Sequence, residues 1–186
     1  MKKYIVYNDT HAGGGHDSKI EIPLSPADNL ILNGDIIDLS GCAKKDVSKY
    51  LTLYGELRYS HGRRMIRGNH ECSASGADMF IDDTVLFAHG HIQMWKEKKV
   101  IKWQNKSMGS SWFKRKLLVP LWDKLRHFRK YRIKRRFKDN IYALKHTHHG
   151  VTTMVFGHAH PNKIIDTKIY GVRILVLPRG RNEIFV

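Results

Sequence analysis

Asn29-Leu30-Ile31-Leu32-Asn33-Gly34-Asp35-Ile36-Ile37-Asp38 reads as a buried strand that ends in a pair of carboxylates. Leu30-Ile31-Leu32 is apolar without alternation, the pattern of a strand covered on both faces and therefore of a parallel sheet. Gly34 breaks the run, and Asp35 and Asp38 come where the chain leaves the strand. Open α/β sheets place ligands and catalysts at that end of their strands.

The same arrangement recurs on either side of this stretch. Lys3 to Asn8 is a short apolar and aromatic strand followed by Asp9-Thr10-His11 and a loop with Gly13, Gly14 and Gly15. Met65-Ile66 leads into Gly68-Asn69-His70-Glu71. Ala77 to Ile81 and Thr84 to Ala88, parted by Asp82-Asp83, predict a hairpin whose second strand delivers His89-Gly90-His91. Thr152 to Phe156 delivers Gly157-His158-Ala159-His160. Ile164 to Ile169, Val172 to Leu177 and Ile184 to Val186 are expected to finish the chain as antiparallel strands.

Between Asp46 and Arg64, Val47, Tyr50, Leu51, Tyr54 and Leu57 recur at the spacing of one helix face. Alternation of strand and helix first and hairpins later predicts a two-sheet α/β sandwich. At 186 residues the chain suits one core, so residues 1–186 are read as a single domain carrying an insertion at approximately 95–145.

Taken singly, each polar cluster is an ordinary turn or helix cap. Jointly, they hold six of the twelve histidines beside Asp9, Asp35, Asp38, Asn69 and Glu71, which predicts a metal site. Asp9 and His11, like His158 and His160, are spaced i and i+2, so from an extended strand end both members of a pair face one way. Each pair can serve one ion or be divided between two closely spaced ions. Mixed oxygen and nitrogen ligands without thiolate suit Mn, Fe or Zn better than Ca and exclude copper-type sulfur sites. Hydrolysis of a phosphate ester needs an activated water, neutralisation of phosphoryl charge and a proton for the leaving oxygen. Two divalent ions with a hydroxide between them supply the first two.

In these five motifs the chain resembles the calcineurin-like metallophosphoesterase family, whose pattern is D-x-H, G-D-x-x-D, G-N-H-[DE], H-G-[HGD] and G-H-x-H. The resemblance runs from Asp9 to His160 with all five motifs in order. It implies that Asp9, His11 and His160 bind one ion, that Asn69, His89 and His158 bind the other, and that Asp35 bridges them. His70 matches the family's catalytic histidine, and Asp38, Glu71 and His91 match positions that orient the ligands. The chain differs in having Asn8 where a small residue is frequent, and only 26 positions separate Asp9 from Asp35, so the first connecting helix is expected to be short or absent.

The net charge of +16 is concentrated in one place. From Trp95 to Lys145 there are 18 Lys or Arg against 3 acidic residues, a balance of +15, which leaves +1 for the rest of the chain. A neutral body with one cationic insertion points to a polyanionic partner. All four tryptophans, Trp95, Trp103, Trp112 and Trp122, lie in that segment. Leu118, Leu121, Trp122, Leu125 and Phe128 follow helical spacing, with Lys124, Arg126, Arg129, Lys130 and Arg132 filling much of the remaining face.

Three uses of this helical, basic cap compete. It packs on the catalytic body, it lies in an anionic membrane surface, or its arginines track nucleic-acid phosphates while its aromatics stack on bases. In the cap the chain is similar to the UDP-2,3-diacylglucosamine pyrophosphohydrolases, which implies a nucleotide-linked lipid as substrate, although their fourth motif is usually H-G-D. A nuclease and a non-catalytic polyanion-binding module on the same scaffold are the alternatives. No apolar run approaches the ~20 residues of a membrane span, so a cytoplasmic protein, peripheral at the membrane surface in the second use, is expected. Cys42 and Cys72 do not make a disulfide framework.

Overall fold

In a computed structural model, which describes residues 1–13, 22–25, 27, 29–39, 42, 44–71, 76–91 and 135–186, the chain folds as two mixed sheets packed face to face. The first sheet has the order β3-β2-β1-β9 and is built from β1 (Lys3–Asn8), β2 (Leu30–Asn33), β3 (Met65–Ile66) and β9 (Gly180–Phe185). The second has the order β4-β5-β6-β8-β7, from β4 (Met79–Asp82), β5 (Val85–Ala88), β6 (Thr153–Phe156), β7 (Ile165–Ile169) and β8 (Val172–Val176). The two-sheet α/β sandwich expected from the sequence is thus the observed architecture.

β1, β2 and β3 run parallel, as do β5, β6 and β8. Their carboxyl ends therefore gather at one edge of each sheet, and that is where the five polar motifs leave. The buried run Leu30–Asn33 is covered on both faces, as its unbroken apolar pattern predicts. Between the sheets lie Tyr4, Val6, Ile31, Phe87, Val155, Leu175 and Ile184. Each outer face is covered by a helix.

α1 (Val47–His61) packs on the first sheet through Tyr50, Leu53, Tyr54 and Leu57 against Leu32, Ile36 and Met65. Leu51, expected on the buried stripe, is 49% exposed. The face actually used runs through residues 50, 53, 54, 57 and 61, one turn step away from Leu51. The helix stops at Gly62, whose φ of 54° lets its N–H reach back to the Arg58 carbonyl.

The second covering helix spans residues 135–147. Phe137, Ile141 and Leu144 point into the sheet and meet Leu86, Met154, Phe156 and Ile174. Residues 135–145, inside the span read as an insertion, thus contribute to the core of the second sheet. Ile141 is fully buried there. Ile141→Ala should cost about 2–5 kcal/mol in urea unfolding and leave metal affinity unchanged, because the core cluster that holds Ile141 contains none of the motif residues.

Two strand expectations need correction. β7 against β8 and β9 against β1 are antiparallel as expected, but β8 also pairs in parallel with β6 and β9 joins the other sheet, so the end of the chain is not one continuous antiparallel run. β9 also begins at Gly180, four residues before Ile184, because Asn182 faces inward and spends its amide on the carbonyls of Pro178 and Gly180. Between Asp9 and Asp35 the described residues contain no helix. Among the described residues, no helix is long and apolar enough to cross a membrane. The helical stripe 118–128, Trp95, Trp103, Trp112, Cys72, and the cap residues Trp122, Lys124, Arg126, Arg129, Lys130 and Arg132 lie outside the described residues.

Candidate metal centre

The five motif loops are tied to one another before any ligand is considered. Asp9, His11 and Ala12 donate backbone N–H groups to the carbonyls of Gly34, Asp35 and Ile36, and Gly157 donates to the carbonyl of His89. The Glu71 carboxylate accepts N–H groups from Ile37 at 2.7 Å and Gly68 at 2.9 Å, so one buried side chain clamps the second motif to the third. Burial together with Asp35 lifts Glu71 to about 7, against the two N–H bonds that favour its ionised form. Gly68 has to be glycine because a Cβ there would overlap the Asp35 carboxylate.

The i, i+2 pairs do not continue the strands. Asp9, His11, Asp35, His158 and His160 all have positive φ, between 44° and 62°. Non-glycine residues held in this left-handed region concentrate at functional sites. The bend after each strand, rather than strand alternation, turns both side chains of a pair toward the same point.

Three groups of side chains converge there, with ligand atoms inside each group within 4.8 Å of one another: Asp9, His11 and His160; His11, Asp35 and His70; Asp35, His89 and His158. Asp35 and His11 belong to two groups each, so the clusters are contiguous. Asp9 Oδ1 lies 2.8 Å from His160 Nε2 and 3.8 Å from His89 Nε2, and Asp35 Oδ2 lies 3.2 Å from His89 Nε2. Asn69 joins at the third group, its Oδ1 3.3 Å from His89 Nε2. His160 remains 46% exposed at its side chain, which opens the cluster to solvent on that side.

His70 is held differently from the others. Its Nδ1 lies 2.7 Å from Asp38 Oδ1, while its backbone N–H donates to Asp35 Oδ1 at 2.8 Å. Asp38 thereby keeps a proton on Nδ1 and turns Nε2 to the cluster, 3.9 Å from Asp35 Oδ2. His91 stands behind His89, with ring centroids 5.4 Å apart, and its buried Nδ1 has no hydrogen-bond partner.

The electrostatics show what the cluster needs. Asp9 and Asp35 are buried side by side, and among the described residues neither pairs with a lysine or arginine. Burial is the largest influence on both and works against the ionised form, yet the histidines together outweigh it: the charges of His89, His70 and His11 with the His89 hydrogen bond hold Asp35 well below the usual carboxylate range, and His89 with His160 lowers Asp9 as well. Burial would keep His89 neutral, but the Asp35 and Asp9 carboxylates push it up to about 10. A proton on His89 thus does the work of a cation between two carboxylates. By contrast, burial drives His11 down to about 4 and, with the charge of His89 added, His158 to about 3, so both present free ring nitrogens at neutral pH.

Two anionic carboxylates, neutral imidazoles and an amide oxygen fit divalent ions of the Mn, Fe or Zn kind. An ion that takes the place between Asp9, Asp35 and His89 must displace the His89 proton. Metal loading at pH 7 is therefore expected to release about one proton from His89, measured calorimetrically in two buffers of different ionisation enthalpy, with none from His11 or His158. Affinity should weaken as pH falls. The same raised value stabilises the cation-free fold below the ordinary imidazole value of 6.5, and that contribution is lost as pH rises through about 10.

The motifs do not mark every residue at this edge. β8 ends beside β6, and the crossover from β8 to β9 brings Arg179 against the first motif, where its guanidinium donates to the Thr10 carbonyl at 3.1 Å. Asn8, the departure from the family pattern, is fully buried, and its side-chain amide donates to the carbonyls of Leu177 and Pro178, fastening that crossover to the site.

Comparison with known proteins gives three findings. A family model described as calcineurin-like phosphoesterase matches residues 2–162. Comparison with curated proteins finds no match. Among solved structures, the chain is similar to a conserved uncharacterized protein of Streptococcus pneumoniae TIGR4 described as a predicted phosphoesterase, at 14% identity and a TM-score of 0.37, covering 100% of this chain and 85% of that one. It is also similar to a single mutant of Vps29 from Entamoeba histolytica, at 14% identity and a TM-score of 0.38, covering 96% of this chain and 74% of that one.

Proposed function

The chain belongs to the calcineurin-like phosphoesterase family and is a metal-dependent phosphoester hydrolase, and from that premise we propose that it cleaves a phosphodiester or pyrophosphate bond at the cluster formed by its five motif loops. In this reading Asp9, His11 and His160 hold one divalent ion, Asn69, His89 and His158 hold a second, and Asp35 serves both. The observation that carries it is the buried Asp9–Asp35 pair, surrounded by imidazoles and an amide and lacking a Lys or Arg partner among the described residues.

Two divalent ions supply Lewis-acid activation of the phosphoryl group and of the attacking water. The protein's own residues do the rest. Asp9 and Asp35 remain anionic, and His11 and His158 remain neutral, so the donor set needs no proton transfer to accept its ligand beyond the loss from His89. Asp38 holds His70 with Nε2 toward the cluster. His70, raised to about 9 against burial by the Asp35 charge and by Asp38, carries a proton on Nε2; it gives that proton to the departing oxygen as the bond to phosphorus breaks, and recovers one when the attacking water has lost its own.

For the substrate, the cationic segment from Trp95 to Lys145 supports an anionic, amphipathic partner, and its four tryptophans favour a lipid-linked pyrophosphate presented at an anionic membrane surface. The same charge supports nucleic acid as the second reading. The deciding experiment is a panel on the Mn-loaded full chain: p-nitrophenyl phosphate, bis-p-nitrophenyl phosphate, a nucleotide-linked lipid pyrophosphate, and single-stranded DNA and RNA. Preferential turnover of the lipid pyrophosphate, with co-sedimentation on anionic vesicles that is lost in Trp122→Ala, supports the first reading. Preferential nucleic-acid cleavage supports the second. No turnover of any member with two metals bound overturns the catalytic assignment in favour of a binding module.

A further inference from the structure

Five strand carboxyl ends carry the motifs, but six strand carboxyl ends meet at this edge. The sixth is that of β8, which is parallel to β6 and continues through Leu177, whose N–H donates to the Phe156 carbonyl at 2.8 Å. The chain then crosses from the second sheet to the first in three residues and enters β9 at Gly180, opposite Asn8. Arg179 therefore stands one register position beyond that pair, level with Asp9.

The crossover is built to hold this arginine in place. Its Pro178 carbonyl accepts the side-chain amides of Asn8 at 3.4 Å and Asn182 at 3.0 Å, and the Gly180 carbonyl accepts Asn182 at 3.0 Å. Asn8 and Asn182 are both buried, and Gly180 adopts a φ of 102° that closes the turn. One N–H of Arg179 is spent on the Thr10 carbonyl, between Asp9 and His11. The residue is otherwise exposed, and among the described residues no carboxylate pairs with it. A cation is thus fixed beside the Asp9-Thr10-His11 loop with most of its planar fork unspent, and such a fork matches phosphoryl oxygens.

We propose that Arg179 is a substrate-binding residue of this site, donating from its free guanidinium edge to a phosphoryl oxygen of the bound ester. The inference rests on the hydrolase reading above and adds a contact that none of the five motifs contains. The oxygen belongs either to the phosphoryl group being cleaved or to a neighbouring one in a pyrophosphate, and the substrates separate these.

The test compares Arg179→Ala, Arg179→Gln and Arg179→Lys in the Mn-loaded full chain. Inorganic phosphate binding and Mn affinity are measured by calorimetry, and kcat and KM are measured on p-nitrophenyl phosphate, bis-p-nitrophenyl phosphate and a dinucleoside pyrophosphate. Ala and Gln should each lower phosphate affinity and kcat/KM by roughly 10- to 100-fold, as for loss of a charged hydrogen bond, with Mn affinity unchanged and Lys, which keeps the charge but not the fork, recovering only part of the loss. An equal effect on all three esters places the contact on the cleaved group, and an effect confined to the pyrophosphate places it on the neighbour. Wild-type phosphate binding and turnover in Arg179→Gln would overturn the proposal, as would a parallel fall in Mn affinity in Arg179→Ala that Arg179→Gln restores, since the residue would then only brace Thr10. If wild type hydrolyses none of the esters but binds phosphate through Arg179, the hydrolase reading fails while this contact stands.

Discussion

Asp35→Asn should leave the fold intact, cost the protein high-affinity binding of both ions and lower kcat/KM by at least roughly 1000-fold. Asparagine keeps the volume of aspartate, and its carbonyl oxygen can still accept the His70 N–H that Asp35 Oδ1 accepts at 2.8 Å. What it removes is the charge common to two of the three ligand groups. With Asp9 alone, one carboxylate faces two dications, and the remaining donors are neutral. The substitution also changes the protein without metal. His89 is raised to about 10 by Asp35 and Asp9 against burial, so loss of the Asp35 charge should let its imidazole titrate well below that value. Metal titration with bound-ion counting tests the first expectation, and the imidazole resonance of His89 followed by NMR tests the second. Retention of two ions at wild-type affinity in Asp35→Asn would falsify the assignment of Asp35 as the shared ligand.

The strand ends are legible in the sequence because a parallel strand covered on both faces has nowhere to hide a polar residue: Leu30-Ile31-Leu32 and Thr153–Phe156 stop abruptly, and the site's polar side chains begin within a few residues of each stop. The covering helix α1 is legible in its spacing, although Leu51 shows that an apolar residue at the edge of a stripe does not reveal which side of the stripe is buried. The left-handed backbone at Asp9, His11, Asp35, His158 and His160 is not legible. It is imposed by hydrogen bonds between loops far apart in sequence, such as His158 N–H to Asp9 Oδ2. The early start of β9 is hidden by Asn182, a polar side chain that faces inward because its amide is satisfied by two turn carbonyls. The helix at residues 135–147 is hidden by composition. Its basic residues dominate any count of charge, while Phe137, Ile141 and Leu144 bury one narrow face. Arg179 carries no signal in the sequence because the β8 end has no motif, and its position depends on the parallel pairing of β8 with β6.

His70→Ala should lower kcat by roughly 100- to 10,000-fold while leaving two ions bound, the range expected for loss of a positioned proton donor. The imidazole is assigned this role because its surroundings keep it protonated. Burial alone would depress it, but the Asp35 charge, the Asp38 hydrogen bond and the Asp38 charge together raise it to about 9. A donor must carry its proton, so activity should fall as pH rises through the His70 value. Cations beside Asp35 withdraw part of that carboxylate's influence and bring the limb below 9 in the loaded enzyme. Asp38 lies 2.7 Å from Nδ1 on the side away from the cluster, so it retains its effect. Asp38→Asn should then move the alkaline limb to lower pH and reduce kcat at pH 8 more than at pH 6, without changing metal affinity. The leaving group gives an independent check. A nitrophenolate departs without a proton, whereas an alkoxide needs one, so His70→Ala should harm an alkyl ester far more than a nitrophenyl ester. Equal losses on both, or an alkaline limb that does not move in Asp38→Asn, would assign His70 to holding the phosphoryl group and leave the departing oxygen to be protonated by solvent.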